Sequence, residues 1–142
     1  MKGKAVTLRT DGASRGNPGP AGIGVVLEAD GGPGRLEFGE YIGETTNNVA
    51  EYRALLRGLS EAEKVAPASL TVKCDSELLV RQLNGAYKVK AAHLKPLFVD
   101  ALRRLRSFPA ARILHVERAE NAAADRLANR AIDDHFQKVR GG

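Results

Sequence analysis

The chain has 142 residues, 43% hydrophobic and 27% charged, which is the composition of a globular protein rather than a disordered one. A single cysteine and the lack of tryptophan exclude an intramolecular disulfide and a cysteine-based zinc site, and argue against a large aromatic stacking platform. We expect one domain over residues 1–142, with its core at about 3–138, and a cytoplasmic protein with no membrane contact, because there is no signal-type N-terminus or long apolar run.

Three strands open the chain. Residues 4–11, 21–29 and 35–42 are rich in alternating apolar residues, which predicts an antiparallel meander. Between the first two strands, residues 12–20 are so rich in Gly and Pro that we expect a turn or loop. The glycines of the second strand indicate a bulge or a close approach of another backbone.

The rest of the chain alternates helices and strands. Apolar spacing predicts helices over 48–65, 76–83, 92–107 and 121–139, and strands over 70–75 and 112–117. The order βββαβααβα predicts an α/β fold, with one five-stranded mixed sheet (three antiparallel strands, then two parallel) and helices on both faces. The fourth strand should lie parallel to the first, because a helix connects it to the meander.

Four carboxylates fall where this fold would bring them together. Asp11 and Asp75 end the first and fourth strands, and the carboxyl ends of parallel neighbours meet at one edge of a sheet. Glu51 and Asp125 lie at the start of the apolar stripes of their helices, on or beside the face that meets the sheet.

A group of buried carboxylates needs positive charge, because neighbouring carboxylates repel one another and lose hydration. Oxygen donors of this kind suit Mg²⁺, Mn²⁺ or Ca²⁺. Two such ions about 3.5–4 Å apart can clamp an in-line phosphoryl displacement. Each acid alone is better explained as a helix cap or a surface charge, so the predicted metal site depends on all four converging.

Four motifs resemble those of the ribonuclease H type 1 family. In chain order they are DGASRGNPGPAGIG from Asp11, TTNNVAE from Thr45, CDS from Cys74 and NAAADRLA from Asn121. The resemblance covers about residues 3–135, and the first two motifs are highly specific. It implies the RNase H fold, in a compact form that lacks the basic protrusion of many members.

The resemblance implies an endonuclease that cleaves the RNA strand of RNA/DNA hybrids and leaves 5′-phosphate and 3′-hydroxyl ends. It implies two Mg²⁺ or Mn²⁺ ions per site, held by the catalytic quartet Asp11, Glu51, Asp75 and Asp125. By the same resemblance, Asp11 and Asp75 are shared or central ligands, Glu51 serves one ion and Asp125 serves the other. We expect a monomer.

The motifs also supply candidate substrate contacts. Amide side chains suit the sugar hydroxyls and base edges of a minor groove, where the 2′-OH distinguishes RNA from DNA. The resemblance implies that Thr46 and Asn17 hold a phosphate of the DNA strand and that the glycine-rich residues approach the RNA strand. The substrate-binding candidates are Gly12, Ser14, Asn17, Thr46, Asn47 and Asn48. The simpler interpretations, a helix cap for the Thr-Thr-Asn-Asn motif and a turn for Asn-Pro-Gly-Pro, are compatible with these contacts.

The basic residues are concentrated in one segment. Residues 81–118 hold nine basic and two acidic residues, so this segment carries +7 and the rest of the chain −2, within a net charge of +5. Such a run is more often a solvated helix face than a polyanion-binding surface. Because only residues 84–92 replace the protrusion, we add Lys88 and Lys90 to the substrate-binding candidates and expect weaker substrate affinity.

The loop before the last helix departs from the family. Many members carry a histidine there that assists proton transfer or product release, whereas this chain has Arg118-Ala-Glu120. We predict that Arg118 takes a related role, with Glu120 as the alternative. The remaining candidates are expected to be structural: His93 in a helix, His115 in a strand, and Cys74 as a small core residue.

Two other functions stay open. A sheet of this kind also supports transposases, resolvases and exonucleases that act on DNA, and the domain could be a nucleic-acid-binding module without catalysis. The Asp-Gly and Thr-Thr-Asn-Asn motifs argue against the first, and the presence of all four acids argues against the second. The sequence leaves undetermined the choice between Mg²⁺ and Mn²⁺ and activity on double-stranded RNA.

Overall fold

The computed structural model describes residues 1–141, and it contains the strands and helices expected from the sequence in the expected order. The elements are β1 Ala5–Ser14, β2 Gly19–Ala29, β3 Arg35–Thr45, α1 Asn47–Val65, β4 Ser69–Cys74, α2 Glu77–Leu83, α3 Lys95–Arg106, β5 Ala111–His115, a 3₁₀ turn Arg118–Asn121 and α4 Ala122–Gly141. Within residues 1–141, no helix combines the length and apolarity needed to cross a membrane.

The five strands form one mixed sheet in the order β3-β2-β1-β4-β5. β2 pairs antiparallel with both β1 and β3, whereas β4 runs parallel to β1 and β5 runs parallel to β4. This arrangement confirms the predicted fold class and places the carboxyl ends of β1 and β4 at one edge of the sheet.

The main core lies between the sheet and α1, α2 and α3. The central strands contribute fully buried side chains such as Leu8 and Val72, which pack with Leu55 and Leu59 of α1. Burying one such side chain stabilises the fold by about 1.5–3 kcal/mol. This apolar layer fixes α1 on the sheet, and with it the acidic residue near the start of α1.

The opposite face of the sheet is packed by α4 through small residues. Gly24 of β2 lies against the backbone of Ala124 and Ala128, and the predicted bulge is present as a register shift between Ala21 and Gly22. A side chain at position 24 would overlap the carbonyl oxygen of Ala124, so only glycine allows this contact. Gly24 is also the pairing partner of Asp11 on β1, so the close approach brings the start of α4 next to that acid.

The prediction of a loop over residues 12–20 is wrong at both ends. β1 continues to Ser14, and Gly12, Ala13 and Ser14 pair with residues 21–23 of β2. Local composition favours a turn here, but the ladder hydrogen bonds to β2, the next strand of the hairpin, keep the backbone extended. Asp11 therefore lies inside β1, one residue beyond the last β1–β4 pair at Thr10, rather than at the end of its strand.

Other boundaries differ by a few residues. α3 begins at Lys95 rather than at 92, so His93 lies in an exposed turn and not in a helix. A helix from residue 92 would place Pro96 beyond the first turn, where its missing N–H would leave a carbonyl unpaired; proline is tolerated only in the first turn. β4 ends at Cys74, so Asp75 directly follows it, and β5 ends at His115 instead of residue 117.

Replacing Gly24 by alanine should destabilise the protein. We expect Gly24→Ala to lower the free energy of unfolding by about 1–3 kcal/mol, because the added methyl group displaces α4 from the sheet. Urea unfolding measures this change. Gly32→Ala is the control, since an added Cβ there meets no atom within 4 Å, and it should change stability by less than about 0.5 kcal/mol. Equal effects of the two substitutions would contradict the packing described for α4.

Candidate active site

The four predicted acids line one cavity of about 380 Å³. The cavity lies at the end of the sheet where β4 stops, and each acid comes from a different element. Asp11 lies on β1, Glu51 near the start of α1, Asp75 directly after β4, and Asp125 in the first turn of α4. The structure therefore brings together the four side chains that the sequence analysis placed at this edge.

The position of Glu51 depends on Gly12. A Cβ at residue 12 would overlap the backbone of Ala50 and Glu51, so the start of α1 rests directly on β1. The Gly12 N–H donates a hydrogen bond to the Glu51 carboxylate. Both Asp11 and Glu51 are only 5% exposed, which makes them a buried pair of like-charged groups.

The position of Asp125 depends on two asparagines. Asn121 is fully buried, and its Nδ2 donates to the carbonyl oxygen of Thr10 at 2.9 Å, which ties the start of α4 to the residue before Asp11. One turn after Asp125, Asn129 Nδ2 donates to the Asp125 carbonyl oxygen at 3.0 Å and to its Oδ1 at 3.3 Å. These bonds orient the carboxylate towards the cavity.

The site favours bound positive charge. Burial, followed by the negative charge of Glu51, raises the pKa of Asp11 far above its usual value. Burial also raises the pKa of Glu51, although the hydrogen bond from Gly12 acts in the opposite direction. Full ionisation of this pair therefore has a free-energy cost in the absence of a cation, and a cation between the carboxylates would remove that cost.

The donor set fits a hard divalent ion. Carboxylate oxygens of Glu51 and Asp75 lie within 4.8 Å of each other and of the Cys74 sulfur. Burial raises the pKa of the Cys74 thiol, and the Ser76 N–H donates to Cys74 Sγ at 3.4 Å. Oxygen ligands are those that Mg²⁺ and Mn²⁺ prefer, so the carboxylates rather than the Cys74 sulfur fit such an ion. As predicted, Cys74 is a fully buried core residue.

The cations of this site lie at its rim. Within residues 1–141, two arginines line the cavity, Arg15 and Arg118. Arg118 Nη2 is 3.8 Å from Asp125 Oδ1, but the Arg118 side chain is 83% exposed, so it leaves the buried acids unneutralised. Arg118 thus lies where the sequence analysis placed it, while Glu120 and His115 are exposed.

The candidate substrate residues fall into two groups. Gly12, Ser14 and Asn47 line the acid cavity. Other bonds hold the nearby segments together: Asn17 Oδ1 accepts the Asn47 N–H at 3.1 Å, and Thr46 Oγ1 accepts the Val49 N–H at 3.3 Å as the cap of α1. Thr46 therefore has the capping role that the simpler interpretation gave it, and its contact with substrate stays a prediction.

Lys88 and Lys90 lie outside the acid cavity. They line a second groove of about 510 Å³ together with Asn48, Leu78, Gln82, Ala86, Tyr87, Ala91 and Leu94. Since Asn47 lines one cavity and Asn48 the other, the start of α1 joins the two.

Several residues that line the two cavities were not predicted from the sequence, among them Asn129, Arg15 and Tyr87. Asn129 could have been found from its helical spacing to Asp125, four residues earlier. Arg15 stands within a quoted motif, but nothing local marks it as part of the cavity. Tyr87 in the second groove carries no sequence signal, because a single tyrosine in a loop has many ordinary explanations.

Comparison with known proteins gives consistent matches. A family model described as reverse transcriptase-like matches residues 9–131. A bifunctional protein of Mycobacterium tuberculosis is 46% identical over 135 residues, which are 94% of this chain and 37% of that protein. Ribonuclease HI of Halobacterium salinarum is 43% identical over 133 residues, which are 94% of this chain and 67% of that protein. The chain thus spans little more than a third of the length of the mycobacterial relative.

Solved structures agree in fold. The crystal structure of RNase H1 from Halobacterium salinarum matches with a TM-score of 0.87 and 44% identity, covering 92% of this chain and 98% of that one. The crystal structure of LC11-RNase H1 in complex with an RNA/DNA hybrid matches with a TM-score of 0.86 and 45% identity, covering 92% and 99%. These matches confirm the predicted fold.

The raised pKa of Asp11 predicts how the metal-free protein responds to pH. An acid whose folded pKa exceeds its unfolded pKa destabilises the fold as pH rises above the unfolded value of 3.8. Asp11→Asn should therefore stabilise the metal-free protein at pH 8 and have little effect on stability near pH 4. The gain should grow as the pH rises from 4 to 8, because the carboxyl group ionises in the unfolded chain while burial opposes its ionisation in the folded protein.

Thermal unfolding in a chelator measures this gain, with Asp100→Asn as the control. Burial raises the pKa of Asp100, but hydrogen bonds from Arg103 and Arg104 outweigh it and lower that pKa, so the control should slightly destabilise the protein at pH 8. If Asp11→Asn instead destabilised the metal-free protein at pH 8, the negative charge of the buried carboxylates would already be compensated by other groups.

Proposed function

We propose that this chain, which belongs to the ribonuclease H type 1 family, hydrolyses the RNA strand of RNA/DNA hybrids as an endonuclease. The observation that carries the proposal is the convergence of Asp11, Glu51, Asp75 and Asp125 in one cavity. A related enzyme of the same fold, LC11-RNase H1, has been crystallised with an RNA/DNA hybrid, which supports the choice of substrate.

We further propose that the four carboxylates hold two divalent ions, Mg²⁺ or Mn²⁺. Asp11 and Asp75 would be the shared ligands, with Glu51 serving one ion and Asp125 the other. When bound, the two ions would activate water and stabilise the leaving oxygen of an in-line displacement at phosphorus. Breaking the bond between phosphorus and the 3′-oxygen leaves a 5′-phosphate and a 3′-hydroxyl end.

Arg118 would act electrostatically rather than by transferring a proton. An arginine side chain keeps its proton in proteins, so it cannot serve as a general base. Its exposed guanidinium beside Asp125 is placed to attract the scissile phosphate and to help the product leave. This is the role that we propose in place of the family's loop histidine.

The two cavities suit the two strands of a hybrid. With the RNA strand over the acids, Gly12, Ser14 and Asn47 lie beside it, and the adjoining groove would receive the DNA strand. Lys88 and Lys90 on that groove would contact DNA phosphates. Asn48 on the same groove, together with Thr46 and with Asn17, which accepts the Asn47 N–H, would contact the hybrid near the start of α1. The 2′-OH groups that mark the cleaved strand as RNA would face the start of α1.

We propose that a single domain, residues 1–142 with a core at about 3–138, carries this activity as a monomer. The buried core residues of the described chain run from Val6 to Ile132, which supports this extent. Cleavage of double-stranded RNA and of DNA are outcomes that the assay below separates, and the cytoplasmic location stays a prediction.

Removing one carboxylate should stop cleavage and spare binding. We expect Asp75→Asn to lower the cleavage rate by about 10³-fold or more, equivalent to about 4 kcal/mol of transition-state stabilisation. A hybrid with end-labelled RNA, assayed with Mg²⁺ or Mn²⁺, measures the rate, and fluorescence anisotropy of the same hybrid measures binding. Asp100→Asn, on α3 and outside both cavities, is the control and should cut normally.

Two results would contradict the proposed function and support a different one. Equal cutting of hybrid and duplex DNA by the unsubstituted protein would identify a DNA nuclease of the same fold. Binding of hybrid without cleavage in either metal ion would identify a binding module.

The second groove predicts a change in salt dependence. If Lys88 and Lys90 contact phosphates, replacing both with glutamine should flatten the slope of log affinity against log salt by about 0.7–0.9 for each contact. Binding of the Asp75→Asn protein to hybrid at several salt concentrations measures the slope. Lys2→Gln with Lys4→Gln removes the same charge from exposed positions outside both cavities and serves as the control. Identical slopes in the two double variants would show that residues 88–90 form a solvated surface that does not contact phosphates.

A further inference from the structure

An ion pair joins the glycine-rich loop to α4 at the rim of the acid cavity. Arg15 Nη1 donates to Asp133 Oδ1 at 2.6 Å, and Arg15 Nη2 donates to the carbonyl oxygen of Asn129 at 3.2 Å. Asn129 in turn donates to the backbone and carboxylate of Asp125. Asn129 thus links the guanidinium of Arg15 to Asp125, a predicted metal ligand. The proposed mechanism gives Arg15 no role.

The Arg15–Asp133 ion pair is exposed enough for another anion to take the place of the Asp133 carboxylate. The side chains of Arg15 and Asp133 are 42% and 59% exposed, and exposed ion pairs contribute little to stability. The hydrogen bond from Arg15 lowers the pKa of Asp133, so the carboxylate stays ionised near neutral pH. A guanidinium binds a phosphate with the same paired N–H geometry that it uses for a carboxylate.

Only one partner of the pair faces the substrate cavity. Arg15 lines the cavity together with Gly12 and Ser14, whereas Asp133 is outside the residues of the described chain that line it. A phosphodiester that enters the cavity can therefore contact the guanidinium of Arg15 without contacting Asp133. The cavity is otherwise strongly acidic at its base, so a cation at its rim is needed to attract a polyanion.

We propose that Arg15 binds a phosphate of the RNA strand, and that Asp133 holds the guanidinium in place in the free protein and yields to that phosphate. The inference rests on the proposed function, because its ligand is the strand that lies over the four acids. Asp133 then lowers affinity for substrate, since each binding event replaces its carboxylate by a phosphate. If the ion pair only linked the loop to α4, Asp133 would have no effect on the affinity for substrate.

The chain offers a matched control pair. Arg130 and Asp134 lie on the same helix, with Arg130 Nε 3.8 Å from Asp134 Oδ2 and both side chains well exposed. Asp134→Asn changes the net charge as Asp133→Asn does, one residue further along, without touching Arg15. Arg130→Gln likewise matches Arg15→Gln in charge.

The experiment measures binding of an RNA/DNA hybrid in the Asp75→Asn background, where the substrate persists. We expect Arg15→Gln to raise Kd by about threefold to tenfold, and to flatten the slope of log affinity against log salt by about 0.7–0.9. Asp133→Asn should lower Kd by about twofold to threefold. It should have no effect when Arg15→Gln is already present. Asp134→Asn and Arg130→Gln should leave Kd nearly unchanged.

Three outcomes would overturn the proposal. If Arg15→Gln and Asp133→Asn both reduce stability in urea while Kd stays constant, Arg15 is only a link between loop and helix. If Asp133→Asn and Asp134→Asn tighten binding equally, the effect is general electrostatics. If the background protein fails to bind any hybrid, the proposed function itself fails, and the parent assay shows this before any Arg15 variant is made.

Discussion

The burial of the Asp11 carboxyl group beside Glu51 is the unfavourable interaction around which the rest of the structure is built. Both side chains are only 5% exposed, and burial, followed by the negative charge of Glu51, raises the pKa of Asp11. The close contacts at Gly12 and Gly24 hold the surrounding backbones in place so that the acids cannot separate. The apolar layer between the sheet and α1 supplies the stability that offsets this cost, as is common where a site is strained for function.

Charge is arranged in two zones around this centre. Carboxylates occupy the base of the cavity, and the guanidinium groups of Arg15 and Arg118 stand at its rim. Cations are thereby favoured inside and phosphates at the edge, which suits the proposed metal-assisted hydrolysis of a phosphodiester. If the arginines lay at the base, they would neutralise the acids and leave no place for divalent ions.

The sequence predicted the fold and the convergence of the four acids in one cavity, because both depend on local periodicity and on the rule that carboxyl ends of parallel strands share an edge. It failed where strand pairing overrides local composition: residues 12–14 have the composition of a loop, yet the neighbouring strand β2 holds them in the sheet. It also missed the Arg15–Asp133 pair, whose partners are 118 residues apart. No pattern within one segment reveals such a contact.

The central claim is that the buried carboxylates are held together to bind divalent cations. The most direct measurement is the free energy of unfolding at increasing Mg²⁺ or Mn²⁺ concentration, in the unsubstituted protein and in Asp75→Asn. Stability of the unsubstituted protein should rise by about 1.4 kcal/mol for each tenfold increase above the dissociation constant, per bound ion, and much less in the variant. Stability that is independent of both ions, or that rises equally in the two proteins, would contradict the account.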